Sequence, residues 1–105
     1  MKVKEATREG IVRFVIDGLR PGDFLQAVLR NDLQQAFARA DLENLRDLKE
    51  IAGFVFMRVP LPCYGSKAKV DRWIKQGGYR GSEVFGAAVN KLENRLRSGS
   101  DEDFD

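Results

Sequence analysis

Between Asp41 and Pro60 the chain reads D-L-E-N-L-R-D-L-K-E-I-A-G-F-V-F-M-R-V-P. Leu45, Leu48, Ile51, Ala52, Val55 and Val59 recur there at the three- and four-residue spacing of one helix face. Phe54-Val55-Phe56-Met57, taken alone, has the composition of a short strand, because aromatic and β-branched residues suit a pleated surface. Its register runs unbroken from Leu45, and that decides for helix. Asp41 is placed to cap the element, and Pro60 ends it at the preceding residue. With Phe54 and Phe56 widening the apolar face, a helix over 42–58 is expected to be the longest and the central one.

The same period continues outward in both directions. Toward the N-terminus, Ile11, Phe14 and Val15 share a face on a helix over 7–17, stopped by Gly18 and followed by a Pro21-Gly22 turn. Asp23 is expected to cap a helix carrying Phe24, Leu25, Val28 and Leu29. Asn31-Asp32 interrupts or re-caps that helix before Leu33, Ala36, Phe37 and Ala40 continue the apolar face. Toward the C-terminus, Ser66 caps a helix over 67–76 on which Val70, Trp73 and Ile74 fall within one arc of about 100°. Gly77-Gly78 stops it, and a last helix from Ser82 carries Val84, Phe85, Ala88, Val89, Leu92 and Leu96. No segment alternates apolar and polar residues as a half-buried strand does. The expectation is an all-α domain of five or six short helices over 1–97, with an acidic, disordered tail over 98–105.

Composition narrows the function. With 105 residues, 43% hydrophobic and 32% charged, the chain has room for one small domain and a modest core. No apolar run approaches the roughly 20 residues that cross a bilayer. The first residues lack the apolar region of a secretory signal, and a lone Cys63 forms no internal disulfide, so a cytoplasmic setting with no membrane partner is expected. The net charge of +2 conceals a basic body and an acidic end: up to Arg97 there are 18 basic and 12 acidic residues, and the other four acids are Asp101, Glu102, Asp103 and Asp105.

The absence of histidine removes the commonest general base and the commonest metal ligand together. One cysteine cannot build a Cys/His zinc site within the chain. Neither a Walker loop nor a Gly-x-Gly-x-x-Gly turn after a strand is present. Asp32 and Asp41, with Asn31 and Asn44 beside them, stand where helix caps are needed, and capping accounts for them. Cys63 has no histidine to activate it. These readings point to a non-enzymatic protein with no cofactor and no metal.

The candidate site comes from the stretch Arg58 to Gly81, which holds six basic residues, one acid and three aromatics around Pro60-Leu61-Pro62. Lys and Arg supply charge, Tyr supplies a stacking face, and a helix start at Ser66 supplies backbone amides and a positive dipole end. Arg58, Tyr64, Ser66, Lys67, Lys69, Tyr79 and Arg80 are therefore the expected ligand-binding residues for an anionic partner. The bland alternative is a rigid connector with Trp73 in the core and the charges solvated.

Arg8-Glu9-Gly10, Gly22-Asp23-Phe24-Leu25-x-Ala27-Val28-Leu29-x-Asn31-Asp32-Leu33, Ala40-Asp41-x-x-Asn44 and Cys63-x-Gly65-Ser66 with Val70-x-x-Trp73 together resemble a class of small bacteriophage and mobile-element proteins of unknown function. The resemblance covers about residues 8–75 and carries no catalytic residues with it. It implies an accessory protein that acts by binding. The expected activity is sequestration of a nucleotide-derived small molecule, a sponge for a host-defence signal, in a homo-oligomer with its pocket near the subunit interface. Direct inhibition of a host defence protein and nucleic-acid binding are the alternatives.

Overall fold

The computed structural model describes residues 3–82 and 89–98. Its core is organised by α1, Glu5–Asp17. Ile11, Val12, Phe14, Val15 and Ile16 are each at most 1% exposed. At 100° per residue these five span an arc of about 200°, with exposed Arg13 and Asp17 on the remaining side, and so wide an apolar face is stable only when neighbouring elements cover it. The central place expected for the 42–58 helix therefore belongs to α1.

The remaining helices of the described residues are α2 (Asp23–Leu29), α3 (Leu33–Arg39), α4 (Leu42–Arg46), α5 (Leu48–Arg58), α6 (Lys67–Gln76) and α7 (Val89–Ser98), with a 3-10 turn at Leu61–Cys63. The described residues are all-α, with seven helices rather than five or six. The extra break falls at Asp47, within the stretch read as one helix. Asp47 N–H donates to Glu43 O at 3.0 Å and closes α4, while Asp47 O accepts from Ile51 N–H at 2.9 Å and opens α5. Its backbone stands at φ −94°, ψ 5°, and its carboxylate pairs with Arg46 at 3.0 Å. Aspartate competes with the helical backbone for hydrogen bonds and breaks helices where an alternative exists.

Three side chains cap helices as their types predict. Asp32 accepts from Gln35 N–H at 3.1 Å, Asp41 from Asn44 N–H at 2.7 Å and Ser66 from Lys69 N–H at 3.2 Å. At α2 the capping position is Gly22, and Asp23 is the first helical residue. The residues Val84, Phe85 and Ala88 of the expected last helix, and residues 99–105 of the expected tail, lie outside the described residues.

Two helix ends are closed by distant residues. The last four carbonyls of a helix lack partners within it. For α1, Gly18 N–H donates to Phe14 O at 3.0 Å, Tyr79 N–H to Val15 O at 2.8 Å and Arg80 N–H to Ile16 O at 2.8 Å. Trp73 Nε1 adds a second bond to Val15 O at 3.0 Å. This contact needs glycines: a Cβ on Gly78 would lie 2.4 Å from Gly18 N and 2.7 Å from Ile16 O, and both glycines have positive φ. For α7, Arg58 Nη1 donates to Arg95 O at 3.1 Å and Arg8 Nη1 to Arg97 O at 3.2 Å.

The apolar faces of α3 and α5 divide between core and surface. Ala36 and Ile51, Phe54 and Val55 are buried, whereas Leu33 is 72%, Phe37 61% and Phe56 72% exposed. Phe56 thus lies outside the core it was expected to widen. Among the described residues, no helix is long and apolar enough to cross a membrane.

Candidate functional site

The amphipathic α6 turns Val70 and Trp73 inward and leaves Lys67, Lys69, Arg72 and Lys75 exposed. Its N-terminal end is docked onto α2 by a backbone bond from Gly65 N–H to Leu29 O at 2.7 Å. Gly65, at φ 116°, allows this turn, and the Lys69 ammonium folds over it: Lys69 Nζ would be 3.8 Å from a Cβ placed there. Tyr64, half-buried against the core, precedes the turn, and Ser66 closes it as the α6 cap.

That docking brings the end of α2 to α6, and three cations meet there at one carboxylate. Lys67 Nζ lies 2.8 Å from Asp71, Arg30 Nη2 3.4 Å and Arg20 Nη1 3.8 Å. Both arginines also hold the Gln26 side-chain oxygen at 2.9 Å, and Gln26 donates to Pro21 O at 2.9 Å. The arrangement is therefore fixed from α2 as well as from α6. The hydrogen bond from Lys67, reinforced by the charges of Lys67, Arg30 and Arg20, holds the Asp71 carboxyl below the usual carboxylate range. With Asp71 ionised, three cations face one anion among the described residues, and two positive charges remain. Among the described residues Arg30 Nε is buried without a hydrogen-bond partner, so this guanidinium is incompletely satisfied there.

Of the seven residues singled out from sequence, Tyr64, Ser66, Lys67 and Lys69 gather at this corner. Tyr79 and Arg80 stand at the other end of α6, a distance of about 14 Å along a ten-residue helix at 1.5 Å per residue. Arg80 pairs with Asp17 at 2.9 Å, and the Tyr79 ring tilts against Trp73 with centroids 6.4 Å apart. Arg58 points inward. It is 8% exposed, and one of its roles is to close the end of α7, where a cation also complements the helix dipole. The sequence reading missed Arg20 and Arg30, whose only local signal is that they flank the turn and the short helix after α1.

Cys63 is fully buried, and burial pushes its thiol pKa well above the ordinary value of 9.0. A protonated, enclosed thiol is a poor nucleophile. Among the other hollows are an apolar groove of about 350 Å³ between α2–α3 and α5, and a polar cleft of about 100 Å³ that shares Gln26 and Arg30 with the corner and extends to Gln35 and Arg39. Comparison with protein-family models, with curated proteins and with solved structures returns no match to this chain.

Proposed function

We propose that this chain is a non-enzymatic binding protein that takes a phosphate-bearing small anion, nucleotide-like in size, where the end of α2, the Tyr64–Ser66 turn and α6 meet. One observation carries the reading: Arg20, Arg30 and Lys67 converge on Asp71 from separate elements and leave two charges uncompensated, with Lys69 close by. Guanidinium forks match phosphate oxygens in a bidentate way, and lysine adds a mobile point charge. Tyr64 offers a ring on which a base stacks. The resemblance to phage accessory proteins gives this chemistry a purpose, the sequestration of a host nucleotide signal.

A thermal-shift panel tests it, with linear and cyclic nucleotides alongside inorganic phosphate and pyrophosphate. A ligand at a hundred times its Kd stabilises the fold by about 2.7 kcal/mol, which is roughly 10–20 °C for a domain of this size. Arg30→Ala and Lys67→Ala are expected to abolish the shift while leaving the circular dichroism spectrum intact. A panel in which no phosphate-bearing compound moves the midpoint would sink the reading, and a protein-directed inhibitor would behave in that way.

The row of Lys67, Lys69, Arg72 and Lys75 along one exposed helix favours a second reading, a single-stranded nucleic acid tracking α6. Its affinity must fall steeply with salt, and mobility shifts with short oligonucleotides at low and high salt separate it from the first.

A further inference from the structure

From the surface formed by α3, α4 and α5 we infer that a second copy of this chain packs there, making a two-fold dimer. The apolar groove of about 350 Å³ has Leu33 and Ala36 on one wall and Leu48 and Ala52 on the other. Each wall continues into an exposed aromatic one helical turn on. Phe37 follows Leu33 on α3 and is 61% exposed, and Phe56 follows Ala52 on α5 and is 72% exposed. On α4, between the walls in sequence, Leu42 is 86% and Leu45 38% exposed.

The size of the face fits a dimer. An aromatic side chain carries about 150–250 Å², so Phe37 and Phe56 together offer roughly 250 Å². With Leu33 on the same wall the total reaches on the order of 400 Å², within the range of the largest patch on a monomer, and Leu42 and Leu45 add exposed apolar area on α4. An ordinary interface buries about 800 Å² per partner, somewhat more than half of it apolar, and this face supplies that apolar share.

Shape and charge select a second copy over a different partner. The face holds both a groove and protruding rings, so under a two-fold rotation the rings of each protomer can meet the groove of the other. The groove's charged lining is of both signs, Asp32 from the α3 side and Lys49 from α5, and a two-fold can oppose each to the other. Nearby charges are spent within the chain: Arg39 with Asp23, Lys4 with Glu43 and Arg46 with Asp47. Among the described residues of this face no single-signed field remains to recruit an acidic or basic partner. This inference is independent of the anion site.

The test is light scattering combined with sedimentation equilibrium on the full chain across the low micromolar range. The wild type is expected to run as a dimer. Phe37→Glu and Leu42→Glu, both at exposed positions, are expected to raise the dimer dissociation constant at least tenfold with unchanged circular dichroism. Should Phe37→Glu fail to fold, Leu33→Ser and Phe56→Ser remove apolar area without adding charge and are read in the same way. A wild type that is monomeric throughout would overturn the proposal. So would a dimer that tolerates all four substitutions, since its contact would then lie elsewhere.

Discussion

Trp73→Ala is the perturbation that most directly probes the core. The indole is 5% exposed, packs beside Tyr79, and donates to Val15 O at 3.0 Å. Truncating a buried Trp to Ala costs about 3–5 kcal/mol in transfer and cavity terms. The lost hydrogen bond adds little beyond this, because Val15 O keeps its bond from Tyr79 N–H at 2.8 Å and is not orphaned. Trp73→Phe separates the two contributions: it retains most of the ring, loses the N–H, and should cost about 1–2 kcal/mol. Against a total stability of about 5–15 kcal/mol, the alanine variant is severely weakened. Urea unfolding should be followed by far-UV circular dichroism, because Trp73 is the sole tryptophan and fluorescence disappears with it. A cost for Trp73→Ala below about 1 kcal/mol would refute the packing argument. Equal costs for the two variants would also refute it, since the hydrogen bond and not the ring volume would then dominate.

Three further outcomes follow from the same structure. Gly78→Ala should destabilise by more than about 2 kcal/mol, because the added Cβ meets the Gly18 and Ile16 backbone and φ is positive, whereas Gly22→Ser, with open space at its Cβ, should stabilise by a few tenths; urea midpoints check both. Lys67→Ala with Arg80→Ala removes only exposed ion pairs, to Asp71 and Asp17, and should leave the urea midpoint nearly unchanged. For Cys63, the folded chain keeps its thiol protonated above pH 9 while the unfolded chain ionises, so the unfolded chain binds fewer protons and stability falls as pH rises. Each pH unit above the ordinary thiol value costs about 1.4 kcal/mol, and Cys63→Ala should lack this part of the alkaline decline when the two are compared from pH 8 to 10.5.

The fold class was legible because helical period and capping are local properties. Asp32, Asp41 and Ser66 cap within three residues of themselves, and Gly18 and Gly77 take the left-handed conformation at helix ends. The break at Asp47 escaped because the apolar spacing from Leu45 to Ile51 persists through a single non-helical residue. The central helix was also misplaced. Ile11 to Ile16 is the more continuously apolar run, but which helix is surrounded depends on tertiary packing. At the proposed corner, Tyr64 to Lys69 are sequence neighbours and so come together. Arg20 and Arg30 join them only through the docking of Gly65 on Leu29. Arg58 read as surface charge because one of its partners is a backbone carbonyl, a group that every residue carries and no sequence pattern marks.

The two proposed surfaces share α2, and their physics differs in a measurable way. Ala27 and Val28 line the apolar groove, and Arg30, one turn on, reaches the anion corner. Binding at the corner is attraction between charges at a half-exposed site. Added salt screens it, with a Debye length shrinking from about 10 Å at 0.1 M to about 3 Å at 1 M. Pairing through the groove removes apolar area from water, and salt leaves that driving force intact or strengthens it. Raising sodium chloride from 0.05 to about 0.5 M should therefore weaken the anion while preserving the dimer. A dimer that dissociates in step with the anion would mean that both rest on the same charges, and that the exposed Phe37 and Phe56 do not hold it together.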